Sequence, residues 1–348
     1  MDMMQSNTPI TTDVAIIGAG PVGLFAVFEL GMLKISATVI DTLPAVGGQC
    51  SALYPEKPIY DIPGFPAINA QDLIDNLSKQ AAPFAPRYVL GEQVVVVEKL
   101  ATGDWRLATN KNTVIHAKAI LIAAGCGAFG PNRPPLAGIE QFEGTSVHYM
   151  VARREDFRDQ TLVIAGGGDS AVDWAVSLAE LARKIYVIHR RDKFRAAPDM
   201  VEKMHALAAS GNIELVVPYQ LEALEPRTPN HASGAALAAV TVKSMDDELR
   251  TLPADHLLAF FGLSMELGPI AEWGLNFSEN HIAVERGTMC TNIPGIFAIG
   301  DIATYDHKLK LILCGFAEAA AAAHAIRDIV YPDTAYHFEY STSKGVSN

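Results

Sequence analysis

At 348 residues with 49% apolar content, the chain can bury a sizeable core and is longer than one ordinary domain requires, so two domains are expected. Its formal net charge of −12 argues against a nucleic-acid partner, because phosphate backbones are held by clustered Lys and Arg. The opening Met1-Asp2-Met3-Met4-Gln5-Ser6 has no basic or apolar leader region, and the most apolar helical segment, Phe316 to Ile329, is too short to span a bilayer and carries Glu318, so no membrane association and a cytoplasmic location are expected.

The apolar run Val14 to Ile17 leads into Gly18-Ala19-Gly20-Pro21-Val22-Gly23, which reads as strand, tight turn and helix. In such a loop the first glycine makes the turn, the second lets backbone approach a pyrophosphate, and the third must be small so that helix and strand can pack. The phosphate then meets the free N–H groups and positive end of the helix. The next strand, Ala37 to Ile40, ends in Asp41. A carboxylate there accepts from the ribose 2′ and 3′ hydroxyls and repels a 2′-phosphate, which suits FAD or NAD. Gly47-Gly48-Gln49-Cys50 follows, where disulfide reductases carry a redox pair, but the position five residues after Cys50 is Pro55, so Cys50 reads as a buried free thiol. The four cysteines, Cys50, Cys126, Cys290 and Cys314, show neither a Cys-x-x-Cys pair nor metal-ligand spacing, and no metal is expected. A β-rich insert covers Val89 to Val97, Trp105 to Thr109 and Val114 to His116, after which the strand Ala119 to Ala123 ends in Gly125.

A second strand–turn–helix opens at Thr161 with Gly166-Gly167-Gly168-Asp169-Ser170-Ala171 and a helix from Ser170 to Leu181. The strand Lys184 to Ile188 then ends in His189-Arg190-Arg191, with Arg195 four residues on; no acid holds the ribose position, since Asp192 comes after the arginines. Guanidinium forks match a phosphate in charge and geometry, which suits NADPH. A β excursion occupies Ile213 to Leu224 and Leu237 to Ser244, separated by the turn-rich Pro226 to Gly234. The strand Asp255 to Phe261 is expected to return the chain to the first layer. Near the end, Gly295 to Asp301 is a buried strand closing on glycine and an acid, with a long helix from Gly315 to Ile329 after it. The expected fold class is α/β, with two Rossmann-like, three-layer nucleotide-binding domains, the second inserted in the first.

Taken together, these residues resemble the two-dinucleotide flavoproteins, and most closely the ferredoxin–NADP reductases of the thioredoxin-reductase-like type, over nearly the whole chain. The pieces that carry the resemblance are the Gly18 loop with Asp41, Gly47-Gly48-Gln49, Leu53 to Lys57, Ile59 to Pro66, Val163 to Trp174, His189 to Ala196, and Gly300-Asp301. It implies an FAD domain of residues 1–124 and 256–348, with a C-terminal extension at 332–348, and an inserted NADPH domain of residues 125–255. Gly18, Gly20 and Gly23 would cradle the FAD pyrophosphate, Asp41 the adenosine ribose, Gln49 the flavin side and Asp301 the ribityl chain. Val94 would touch the adenine through its backbone, and Phe129 would lie near the cofactor. Tyr54 resembles the aromatic that stacks on one flavin face. Tyr340, followed by Ser341 and Thr342, matches the extension that covers the other face from the partner subunit, which implies a homodimer. Gly166, Gly168, Asp169, Ser170, Ala171, His189, Arg190, Arg191 and Arg195 would hold NADPH. A helix N-terminus near Gly315, aimed at the flavin, would favour its reduced anion by a few tenths to about 2 kcal/mol.

Thioredoxin reductase itself carries a redox Cys-x-x-Cys before the second glycine loop, whereas Ser146 to Arg153 contains no cysteine. The implied activity is hydride transfer between NADPH and FAD, with single electrons passed to ferredoxin or flavodoxin. A rotation of the inserted domain on short links near Gly125 and Asp255 would gate it. An acidic carrier needs a local basic surface, for which Lys308, Lys310, Arg153 and Arg154 are the candidates. The alternatives are an NADPH-dependent flavin reductase of a quinone, disulfide or oxygen, and a non-catalytic NADPH/FAD-binding sensor.

Overall fold

The structure, a computed structural model, describes residues 8–125, 127–227 and 236–334. It divides into two compact units, residues 1–129 with 265–348 and residues 130–264. In the first, the strand Ile10–Ile17 lies inside a seven-stranded sheet, parallel to Ala37–Asp41 on one side and to Val114–Ile122 on the other. Side chains alternate between faces along a strand, and here both faces are buried. Val14 and Ile16 join the cluster that includes Leu30, Ala319 and Ile326, while Ala15 and Ile17 join the opposite one with Leu107, Ile120 and Ile302. A strand covered on both sides reads as an unbroken apolar run, not an alternating one.

The segments 114–116 and 119–123, expected as separate strands, form one. Its first part pairs antiparallel with Trp105–Thr109 and its second part parallel with Ile296–Ala298. Lys118, which interrupts the apolar pattern, stays in the strand because its ammonium pairs with Asp13 at 2.8 Å. The helix Pro21–Met32 begins with Pro21, at a position where the missing N–H is no loss. Against it lies the alanine-rich helix Ile312–Val330, close enough that a Cβ on Gly315 would come within 2.4 Å of Val22. No helix among the described residues is long and apolar enough to cross a membrane.

The second unit is built on five parallel strands in the order Val147–His148, His256–Ala259, Thr161–Ala165, Lys184–Ile188 and Ile213–Val216. A separate antiparallel sheet comprises Tyr219–Pro226, Leu237–Ser244 and Leu249–Pro253. Three expectations are corrected here. The strand at 256–259 does not return to the first layer, because Asp255 fastens it beside Thr161: the Thr161 N–H donates to the Asp255 carboxylate at 2.8 Å, and the Asp255 N–H donates to the Thr161 carbonyl at 2.8 Å. Leu257, Leu258 and Ala259 are then buried on both faces. The strand at 213–216 belongs to the parallel sheet, so the β excursion starts only at Tyr219. The helix after the second glycine loop covers Asp169–Leu178 and stops short of Leu181.

Candidate functional site

The cleft of the first unit holds about 1110 Å³ of empty space, its open mouth included, ample for a dinucleotide. Gly18, at φ +114°, makes the turn, and a Cβ there would stand 2.2 Å from the carbonyl oxygen of Ala123. One on Gly23 would stand 2.1 Å from the carbonyl oxygen of Gly18. Both are therefore required to be glycine by the protein's own backbone. Gly20 is different: its φ of −70° is open to any residue, and a Cβ would meet no atom within 4 Å. The space beside it opens into the cleft at the start of a helix, where free N–H groups and the helix dipole favour an anion.

The parallel register brings Asp41 to the same loop. The Gly18 N–H donates to the Ile40 carbonyl at 2.8 Å. The Asp41 carboxylate accepts from the N–H of Ala19 at 2.6 Å and of Leu43 at 2.8 Å. Burial pushes its pKa above the usual carboxylate value, against the pull of those hydrogen bonds. Thr42 also hydrogen-bonds to the carboxylate, which faces the cleft, where a ribose hydroxyl can reach it.

Gln49, Cys50, Tyr54, Val94, Asp301 and Ile312 line the same cleft. The Gln49 amide lies 3.5 Å from where a Cβ on Gly125 would stand. Cys50 is 1% exposed, its thiol lies 3.9 Å from the Tyr54 hydroxyl, and burial raises its pKa to about 11, so it stays a protonated, unreactive thiol. The helix beyond Asp301 begins at Ile312, not near Gly315, which instead packs inside the helix against Val22. Gly300, at φ +73°, donates its N–H to the Glu318 carboxylate at 2.8 Å.

That carboxylate also corrects an expectation about the surface. Lys308, a candidate for a basic docking face, is ion-paired with Glu318, the two side chains being 5% and 4% exposed. A carboxylate turned inward on an alanine-rich helix needs a cation beside it. Arg154 is likewise engaged, donating to the Ser177 carbonyl, and Arg153 lies 3.6 Å from Asp156. Lys310 is exposed.

In the second unit, Gly166 makes the turn at φ +155°, and a Cβ there would stand 2.6 Å from the Phe260 carbonyl oxygen and 3.0 Å from the Ala171 methyl. Ala171 thus supplies the small residue that lets helix and strand close. A Cβ on Gly167 would run into the His189 ring at 2.3 Å, whereas one on Gly168, the residue before the helix, would meet nothing within 4 Å. The loop is tied to the arginine segment by the Arg195 N–H, which donates to the Gly167 carbonyl at 2.7 Å, and by the Asp169 carboxylate, which accepts from Ala197 at 3.0 Å. Asp169 is thereby used to hold the protein's own turn. Ser170 is exposed beside it.

The His189 ring lies against Phe194 in a tilted arrangement, with ring centroids 5.4 Å apart. Burial first, and then the charges of Arg190, Arg191 and Arg195, hold its pKa below the ordinary imidazole value. Its Nε2 is buried with no partner among the described residues. The three arginines are exposed, and none is ion-paired among the described residues.

Sequence reasoning missed Trp273, which lines the first cleft with Gln93, Leu267 and Ile270, and whose indole N–H is buried without a partner among the described residues. No periodicity marks it; only the return of the chain after the inserted unit brings it there. The side chain of Phe129, and the whole of Tyr340 and Thr342, lie outside the described residues. Among those described, no cluster of three or more His, Cys, Asp or Glu could hold a metal. The open space at Gly20, the doubly anchored Asp41 and the unpartnered indole N–H fit a bound dinucleotide.

The pattern of the pyridine nucleotide-disulphide oxidoreductases matches residues 12–325. A ferredoxin–NADP reductase of Paramagnetospirillum magneticum is 58% identical over 335 residues, covering 96% of this chain and 98% of its own. One from Rhodospirillum rubrum is 55% identical over 346 residues, covering 99% of each. Among solved structures, the thioredoxin reductase of Lactococcus lactis is similar with a TM-score of 0.77 at 23% identity, covering 92% of this chain and 99% of that one. That of T. acidophilum reaches 0.76 at 21% identity, covering 91% and 98%. These two likenesses concern the fold.

Proposed function

Because the chain belongs to the pyridine nucleotide-disulphide oxidoreductase family, we propose that its two glycine loops serve one reaction, the transfer of electrons between NADPH and ferredoxin with FAD as the resident cofactor. The chain is a ferredoxin–NADP reductase of the kind its relatives represent at 55–58% identity over nearly their full length. The observation that carries the reading is the contrast between the two strand ends: a half-buried carboxylate at Asp41 against three exposed arginines at 190, 191 and 195. FAD, when bound, accepts a hydride's two electrons and gives them up singly. The chain holds and orients it. Gly20 and the helix start receive the pyrophosphate, Asp41 accepts from the ribose hydroxyls, Asp301 from the ribityl hydroxyls, and Tyr54 covers a ring face. In the second unit, Gly168 and its helix receive the NADPH pyrophosphate, while Arg190, Arg191 and Arg195 grip the 2′-phosphate.

The reading extends to flavodoxin as a second carrier, to a cytoplasmic homodimer with no membrane association, and to Tyr340 and Thr342 as the cover of the partner's flavin. It is supported by the resemblance of the motifs. Truncation after Pro332 is expected to change flavin reactivity toward oxygen and NADPH and to shift the mass seen by sedimentation; an unchanged enzyme would remove the tail from the site. The central test is anaerobic cytochrome c reduction with and without ferredoxin, NADH being the control nucleotide. A ferredoxin-dependent rate seen only with NADPH is expected. A rate indifferent to ferredoxin would point to a small-molecule acceptor, and a flavin that NADPH does not bleach would point to a sensor.

A further inference from the structure

Asp301 stands on a turn that is fastened from the last helix. The turn follows Gly300, whose φ of +73° lies in the left-handed region and whose N–H is buried. That N–H needs an acceptor, since an unpaired buried donor is costly, and the acceptor comes from a distant helix. Glu318 takes it on Oε2 at 2.8 Å, while its Oε1 accepts the Tyr305 hydroxyl at 2.8 Å and faces the Lys308 ammonium. Tyr305 is in turn flanked by two cations, Lys308 at 5.4 Å and Arg286 at 5.6 Å from its ring centroid. Every atom of the Glu318 carboxylate is thus committed inside the protein, and one of its contacts falls on the residue before Asp301.

Resting on the FAD reading above, we propose that Glu318, braced by Lys308 and Tyr305, is a positioning residue for the cofactor: it fixes the Gly300 peptide so that the Asp301 carboxylate is presented to the ribityl hydroxyls. A buried ion pair gives little net stability compared with apolar residues of similar size, so stability alone does not account for placing one here. Its effect is a fixed direction for one N–H, and hence for the side chain that follows.

The test is FAD binding to the flavin-free full chain, read by quenching of flavin fluorescence. Because removing one member of a buried pair strands the other's charge, both are changed together. Lys308→Met with Glu318→Gln keeps an uncharged acceptor for the Gly300 N–H, and FAD affinity is expected within about threefold of the unaltered chain. Lys308→Met with Glu318→Leu removes the acceptor, and affinity is expected to fall by about tenfold or more. Repeating both in an Asp301→Ala background should shrink that step to less than about twofold, since residues acting through one another are non-additive. A leucine pair that binds FAD as well as the glutamine pair, or that costs the same factor whether or not Asp301 is present, would overturn the proposal. Should the leucine pair fail to fold, Tyr305→Phe carries the test. It frees Glu318 of one donor and is expected to weaken FAD measurably with Asp301 present and not without it; unchanged affinity would overturn the proposal equally. Failure of the FAD reading itself is distinguishable, because the unaltered chain would then not bind FAD.

Discussion

Gly20→Ala separates what the protein needs from what its ligand needs. No protein atom lies within 4 Å of the added Cβ, and φ of −70° suits alanine, so the native state takes no clash. Alanine is a poorer helix cap than glycine, by about 0.5–1 kcal/mol, but it stiffens the unfolded chain by about 0.4–1 kcal/mol. The two oppose, and the melting temperature of the flavin-free protein should move by no more than roughly 2–4 °C. FAD binding should fare otherwise, because on the proposed placement the methyl group occupies the space of the pyrophosphate. A loss of about 10–100-fold is expected, or about 1.4–2.7 kcal/mol. Gly23→Ala is the control, since its Cβ would lie 2.1 Å from the Gly18 carbonyl oxygen. Overpacking of that kind costs about 1–3 kcal/mol or more, so this variant should lose stability and FAD together. Thermal unfolding of the flavin-free proteins, with fluorescence titration of FAD, reads both quantities. Gly20→Ala binding FAD as tightly as the unaltered chain would refute the placement of the phosphate.

In the second unit, Arg190→Ala with Arg191→Ala should raise KM for NADPH by about 10–100-fold, two charge-assisted contacts being lost, and leave KM for NADH nearly unchanged. Equal weakening of both nucleotides in steady-state kinetics would remove the arginines from the 2′-phosphate. Stability should also depend on pH through His148 and His256, whose ring nitrogens lie 3.0 Å apart. Burial, and then the charge of His256, hold His148 at about 4, and burial lowers His256 as well. Bases depressed in the fold take up protons on unfolding, so their contribution is complete above the ordinary imidazole value of about 6.5 and is lost as pH falls from there toward 4. Differential scanning calorimetry of the full chain should find the unfolding temperature of the second unit falling across that window, and His148→Gln should flatten the fall; an unaltered slope would exclude the pair. With Lys308 buried, Lys310 stays an exposed candidate for the docking face. Lys310→Glu should raise KM for ferredoxin and weaken its salt dependence, while NADPH reduction of a small dye stays the same. If ferredoxin kinetics at two ionic strengths do not respond, docking lies elsewhere.

The two nucleotide loops were legible in the sequence because the groups that define them are placed by local register. Ile17 lies opposite Ile40, so the residue after each strand falls at the same edge, and the Asp41 carboxylate meets the Ala19 N–H directly. Ala165 opposite Ile188 brings His189 and the arginines to the second loop in the same way. Glycines at 18, 23 and 166 announce themselves because neighbouring backbone leaves no room for a Cβ. Where sequence reasoning failed, the deciding contact was distant or carried no side-chain mark. The last helix starts at Ile312 with Leu311 before it and no capping side chain, so Leu311 to Leu313 reads as one more apolar run and hides the helix start, which the sequence suggests only at Gly315. The strand at 256–259 is apolar on both faces and would suit either sheet; only Asp255 against Thr161, 94 positions apart, decides. Lys308 shows the error most plainly, since a lysine between His307 and Leu309 in a short polar turn has every appearance of a solvated charge. The contrary sign lay ten residues on, in a single acid set among alanines on a helix with an apolar face. A lone carboxylate on a buried face requires a donor, and the two lysines just before the helix, Lys308 and Lys310, are the candidates the sequence offers; the turn through Tyr305 brings Lys308 to it.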